Sequence, residues 1–328
     1  MSIHINKSGL LDTLQDEGRY GYQHLGVNPG GAMDRIAMHI ANALVGNQPN
    51  ETVLEMHFPA AEILFKETLL IALAGADFSA TINGKELPIL HPVLISKGSI
   101  LAFGKRKNGA RVYLSVQGGF TADTWLNSTS TNTKVNAGGF QGRALQKNDQ
   151  LLLNNPRAFS FVFTDHAFEV LPWKAKTAEL YTTNSIRFIA GAEFGNLHNQ
   201  SIVVMKTQVY TISRDSDRMG YRLQAEPLPT LSHQEMISTA VTRGTIQLLP
   251  NGQLIILMAD HQTTGGYPRI GHVITVDLPI LAQMQAGETF QLQEINPEQS
   301  EDLFFEQEMN LQQLQNACNF RLQEYLNA

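Results

Sequence analysis

The sequence predicts a mostly β protein with a few helices, and three observations carry this expectation. Asn-Gly pairs separate short strand-like runs at Asn83-Gly84, Asn108-Gly109 and Asn251-Gly252. The flanking runs mix β-branched residues with in-out alternation, as half-buried antiparallel sheet requires. Only two stretches carry the three-and-four spacing of an amphipathic helix.

The first hairpin is Ala80 to Leu87, where Asn83 and Gly84 tolerate the positive φ of a two-residue turn. The second is expected between Ile100 to Phe103 and Arg111 to Val116, and the third between Thr245 to Leu249 and Leu254 to Met258. A helix is expected over 32–45: Ile36, Ile40 and Leu44 recur every fourth residue, Ala37 and Ala41 flank them, and Gly46 stands where it would end. Another is expected over 297–326, with Asn296 as N-cap, Pro297 as first residue and Gln299 as capping-box partner. Its Leu311, Leu314, Cys318, Leu322 and Tyr325 form one apolar stripe.

The chain has 328 residues, and at roughly 100 to 200 residues per domain that length favours two domains. Interruptions at Asn154-Asn155-Pro156 and from Leu171-Pro172 to Asn184 put the linker near 166–185. The expected domains are 1–170 and 171–295, with 296–328 as an appended helix. A net charge of −6 lacks the cationic field that phosphate-backbone binding needs, so no nucleic-acid role is expected. Charged residues are 16% of the chain, against about 25% on average, so part of the surface is expected to meet a partner. Apolar runs such as Leu69 to Ala74 fall far short of the roughly 20 residues that span a bilayer. The start shows no basic region followed by an apolar core, and the single cysteine, Cys318, cannot form an internal disulfide; a cytoplasmic location is expected.

Three loops could carry chemistry. Ala259 to Arg269 contains Asp260, His261, Gln262, Thr263, Thr264, Gly265, Gly266 and Tyr267 between two strands. Its glycines and hydroxyls suit an oxyanion or carboxylate, and Asp260 suits acid, base or orienting work; the structural alternative is a wide hairpin loop bonded to its own backbone. Val27 to Arg35 puts Gly30 and Gly31 before a helix start, where free N–H groups attract anions. There Asp34 is either a helix-start residue or a catalytic carboxylate, and Arg35 either a two-pronged anion clamp or a solvated helix arginine. Ser213 to Arg222 carries Arg214, Asp217, Arg218 and Arg222 around Gly220, which reads as mutual ion pairing unless other loops converge on it.

Standard signatures fail elsewhere. Gly98 to Lys105 has five residues between its glycines and Arg106 where a phosphate-binding loop needs Ser or Thr. No His-Glu-x-x-His or other ligand spacing occurs, so no metal is expected. Met205-Lys206 has the biotin-carrying pair but sits in an apolar pattern without a second Met.

Taken together, Gly9 to Arg19, Gly21 to Val27, Pro29 to Arg35, Ala41 to Asn47, Leu54-Glu55, Ser216 to Leu223 and Ala259 to Pro268 closely resemble the family of 5-oxoprolinase C subunits, also called the biotin-dependent carboxyltransferase or allophanate hydrolase subunit 2 family. The resemblance spans residues 1 to about 295. It implies two cyclophilin-like β-barrel domains, corresponding to half of the carboxyltransferase part of urea carboxylase. It also implies that the other half is a separate polypeptide, the B-type 5-oxoprolinase chain, and that together with an A-type chain the complex would cleave 5-oxoproline to glutamate at the expense of ATP. His261 departs from the arginine that several members carry there.

Under that resemblance the expected roles are specific. Arg214 or Arg218 clamps the substrate carboxylate, and Gly265 and Gly266 with Thr263 and Thr264 stabilise an oxyanion. Asp260 or Asp217 is a base or orienting group, while Gly30, Gly31, Asp34, Arg35, Gln262 and Tyr267 contact substrate or phosphate. The alternatives are a carboxyltransferase fed by carboxybiotin and a non-enzymatic regulator that binds a kinase-inhibiting partner.

Overall fold

The computed structural model describes residues 1–157, 159, 163, 167–176, 180–228 and 236–327. Positions 166 and 177–179 of the expected linker lie outside the described residues. The fold is mostly β, with short helices and one long C-terminal helix. Two compact units divide the chain: Met1–Arg19 with Asp34–Thr177 and Met309–Ala328, and Tyr20–Met33 with Ala178–Glu308. Among the described residues no helix is long and apolar enough to cross a membrane.

The first unit holds two six-stranded antiparallel sheets. One centres on Ser2–Lys7, Glu62–Phe65 and Ile100–Phe103, the other on Leu69–Asp77, Asn108–Val116 and Val53–His57. The strand Leu69–Asp77 is buried on both faces, which explains its unbroken apolar run. Leu69, Ile71 and Leu73 enter the sheet core, and the helix Arg35–Leu44 packs against this strand and Asn108–Val116.

That helix starts at Arg35, later than expected, because Asp34 is its N-cap and accepts from Ala37 N at 2.9 Å. Gly46 follows its end with φ +75°, and Gly46 N donates to Ala43 O at 3.1 Å. The C-terminal helix Pro297–Asn327 opens with the expected reciprocal cap: Gln299 N donates to Asn296 Oδ1 at 2.8 Å and Asn296 N to Gln299 Oε1 at 3.2 Å. Cys318 and Leu322 on its stripe are buried; Gln315 Nε2 donates to Asn47 O at 3.0 Å.

The Asn83-Gly84 hairpin forms, with φ +49° and +80°. Asn108-Gly109 does not join a hairpin. The strand before it, Ile100–Phe103, belongs to one sheet, while the pair itself opens the strand Asn108–Val116 of the other, and Gly109, at φ +70°, lies in a register shift against Leu69–Asp77. Asn251-Gly252 lies in the turn between Thr245–Leu248 and Leu254–Leu257, which pair antiparallel. Only Gly252 takes positive φ, +78°, so the turn is wider than a two-residue loop.

The second unit is a closed barrel in the order Ser185–Ala190, Arg269–Val273, Thr245–Leu248, Leu254–Leu257, Gly220–Gln224, Val209–Ile212 and Thr289–Glu294. The last strand returns to the first in parallel, and the other pairings are antiparallel. Ile186, Phe188, Tyr221, Leu223, Ile246 and Ile256 fill its interior, so alternate residues of the same strands face outward. On that outer wall a loop pair, Thr239–Ala240 against Thr264–Gly265, adds a small two-stranded sheet.

Candidate functional site

Outward residues of three adjacent barrel strands make the floor of a groove of about 440 Å³ in the second unit. Gly220, Ile255 and Leu257 are its apolar base, and Asp215, Asp217, Gln262 and Tyr267 are among its polar lining. The volume is in the range of small-ligand sites, roughly 300 to 1,000 Å³. Gly220 and Ile255 are matched, since a Cβ at 220 would stand 2.9 Å from Ile255 Cδ1.

Two of the three candidate loops are tied directly to each other. Asp260 N donates to Arg218 O at 2.8 Å, and Met258 N to Met219 O at 2.9 Å. Arg218 then grips Asp260 through Nε at 2.8 Å and Nη2 at 3.2 Å. The same Nη2 donates to Gly31 O at 2.7 Å, which brings the third loop in. Arg218 thus braces these loops with its side chain only 10% exposed, and it is not among the groove-lining residues.

The glycine turn is held by its carbonyls. Arg243 Nη1 donates to Ala32 O at 3.1 Å and Nη2 to Met33 O. Gly30 and Gly31 are buried, at φ +64° and +91°. In the first unit the Asp34 carboxylate occupies the helix start, the anion's place in the sequence reading. Asp34 N donates to the Tyr113 hydroxyl at 2.8 Å, and that hydroxyl donates to Glu55 at 2.8 Å. Arg35 opens the helix; Glu17 is held below the usual carboxylate value by the 2.8 Å hydrogen bond with His39, against burial, and then by the charges of His39 and Arg35.

Asp217 lines the groove and accepts from Met219 N at 2.8 Å and Gly220 N at 3.2 Å. Arg214 is exposed and outside the groove lining. Gln262 and Tyr267 line the groove, whereas Thr263, Thr264, Gly265 and Gly266, which lie between them in sequence, are not among its lining residues. Gly265 and Thr264 pair with Thr239 and Ala240, and Val241 N donates to Thr263 O at 3.1 Å. His261 is buried and Nδ1 bonds Gln262 O. Burial lowers its pKa; His272 is also lowered, by burial and then by His261.

Sequence reasoning did not single out Gln247 or Arg243, and it took Arg222 only as a member of an ion-pairing loop. Gln247 and Arg222 line the groove, yet each is merely the outward residue of an alternating strand. Arg243 has no local signal at all, since its partners lie about 210 residues upstream. Among the described residues no group of three His, Cys, Asp or Glu side chains is placed to hold a metal.

Residues 25–294 match the family model described as carboxyltransferase domain, subdomain A and B. The 5-oxoprolinase C subunit of Haemophilus influenzae is 34% identical over 302 residues, 92% of this chain and 94% of that protein. That of Escherichia coli is 33% identical over 286 residues, 87% and 89% of the two chains. The crystal structure of K. lactis urea amidolyase superposes with a TM-score of 0.85 at 25% identity, covering 95% of this chain and 20% of that one. This chain therefore spans about a fifth of the urea amidolyase polypeptide. Full-length sequence likeness and a shared fold agree: the chain belongs to the carboxyltransferase domain family, subdomains A and B.

Proposed function

We propose that this chain is the C-type subunit of a cytoplasmic, ATP-dependent 5-oxoprolinase, cleaving 5-oxo-L-proline to L-glutamate together with A-like and B-like chains and inactive alone. The observation that carries this reading is co-linearity: the likeness to a protein named as a 5-oxoprolinase subunit runs over 94% of that protein's length. A lactam carbonyl is a poor electrophile, so the protein's task is to hold the ring and stabilise the oxyanion that develops when water attacks.

Asp217 takes the proton-handling role because it lines the groove, whereas Asp260 is committed to Arg218. Arg222, on the groove, is the carboxylate partner in place of Arg214 or Arg218. The segment Thr263 to Gly266 supplies oxyanion donors. The residues around Gly30 and Gly31 do not fit a triphosphate: the turn is buried, its carbonyls are gripped by arginines, and Asp34 caps the following helix. ATP therefore belongs to a partner chain in this proposal.

A second reading, a carboxyltransferase acting with carboxybiotin, is favoured by the urea amidolyase likeness at TM-score 0.85. Co-expression with the neighbouring A-like and B-like chains and an assay for ATP-dependent glutamate release from 5-oxoproline separates them. Release by the complex and none by the single chain is expected; turnover by the purified chain alone overturns its assignment as one part of a complex.

A further inference from the structure

We propose that Gln247 and Gln262 form an amide pair that recognises a cyclic cis-amide, a lactam or a cyclic urea, in the barrel-wall groove. For the identity of the natural ligand this rests on the proposed function; for the chemistry it rests on the two side chains.

Gln247 is the outward residue of Thr245–Leu248 and only 1% exposed. A buried primary amide needs partners for two N–H donors and a carbonyl. Its bonds are at the long limit: Nε2 donates to Tyr267 O at 3.5 Å, and Oε1 accepts from Gln262 Nε2 at 3.5 Å. Ordinary N–H···O bonds fall near 2.9 Å, so this amide is held in place with its hydrogen-bonding capacity little used. Gly265 keeps the position open, because a Cβ there would stand 2.5 Å from Gln247 Nε2. Gln262, Gln247 and Tyr267 line the same groove.

A primary amide presents a donor and an acceptor on one edge. A ring amide, forced cis, presents the complementary acceptor and donor on one edge, and the two close a pair of parallel hydrogen bonds. A peptide is trans, with N–H and C=O on opposite sides, and cannot make that pair. The groove floor of Gly220, Ile255 and Leu257 is apolar, as a ring or alkyl chain requires. Its charged residues are Asp215, Asp217 and Arg222, so the lining carries one cation, Arg222, for an acidic substituent on the ring. Both 5-oxoproline and the ureido ring of biotin carry such a cis-amide.

The test is ligand-observed NMR titration of the purified full chain, and of the co-expressed complex, with 2-pyrrolidinone, 5-oxo-L-proline and 2-imidazolidinone. N-methyl-2-pyrrolidinone, lacking the N–H, and N-methylacetamide, a trans amide, are the controls. The ring amides are expected to bind at least tenfold more tightly than either control, and Gln247→Met or Gln262→Met to erase that preference. Gln262→Met, on a half-buried loop, keeps the test valid should Gln247→Met unfold. Equal binding of the controls, ring-amide binding unaffected by both substitutions, or no ring-amide binding to chain or complex overturns the proposal. Glutamate release by the complex with variant binding unchanged removes the amide pair and leaves the function standing. Glutamine-dependent binding that favours 2-imidazolidinone, without glutamate release, keeps the pair and removes the oxoprolinase reading.

Discussion

Gly265 and Gln247 are fitted to each other: a Cβ on residue 265 would lie 2.5 Å from Nε2 of Gln247, closer than real Cβ contacts come. Gly265→Ala is therefore expected to push the flexible amide aside while leaving the fold intact. Affinity for 2-pyrrolidinone should fall about tenfold, roughly 1.4 kcal/mol, with the thermal midpoint within a few degrees of wild type. Unchanged affinity would show that the glycine serves only the backbone.

Gly266 has more room, its nearest neighbours being Met236 O at 3.3 Å and Ser238 Oγ at 3.5 Å from an added Cβ. A branched side chain would still crowd that carbonyl and shift the proposed oxyanion donors. Gly266→Val is expected to lower glutamate release by the complex about a hundredfold, measured beside circular dichroism of the chain. Near-normal turnover removes the oxyanion role.

Arg218 spans Asp260 and Gly31 O with one planar fork, which a lysine cannot reproduce. Arg218→Lys is expected to cost about 1 to 2 kcal/mol in urea unfolding, because a half-buried carboxylate and a buried carbonyl lose the paired donors of the fork. A change below about 0.5 kcal/mol would mark the brace as an ordinary surface pair.

Asp16 is buried and accepts from Ser128 Oγ at 2.7 Å, Thr129 N at 2.7 Å, Gly18 N at 2.8 Å and Ser130 Oγ. Burial pushes its carboxyl up, but the bonds from Ser130, Ser128, Thr129 and Gly18 outweigh it, and its pKa lies below the usual value. Asp16→Ala leaves those donors stranded and should cost about 3 kcal/mol or more in chemical denaturation. Protection of the Thr129 and Gly18 amides, which donate to Asp16, from hydrogen exchange should fall with it.

Asp12 runs the opposite way. Burial lifts its carboxyl from 3.8 to about 7, against one backbone donor, Gly9 N. Between about pH 4 and 7 the unfolded chain has released a proton that the folded chain keeps, so this contribution to stability is full below pH 4, declines as pH rises and is lost above 7. Asp12→Asn removes that slope, and the variant should gain on wild type by roughly 2 to 4 kcal/mol from pH 4 to pH 8. Parallel stability curves for the two proteins would contradict the raised value.

The elements legible in the sequence are those whose cause is local. The Asn83-Gly84 turn needs two residues that accept positive φ, and the Asn296 to Gln299 cap needs two side chains three residues apart. Asn108-Gly109 was misread because a turn signal cannot tell a hairpin from a passage between sheets. At the Gly30-Gly31 turn the glycine pattern is local, whereas the arginines that take the carbonyls of Gly31, Ala32 and Met33 lie 187 and about 210 residues away.

By itself, the sequence determined the mostly β class, the two marked helices, the family likeness and the three loops that hold the charged and glycine residues, since each follows from period, turn chemistry or short motifs. Tertiary structure alone decided that Arg218 ties Asp260 to Gly31 O, that Asp34 caps, and that Gln247 and Gln262 meet on the lining of one groove. Barrel closure sets those distances, and no spacing along the chain encodes which outward residues of separate strands become neighbours.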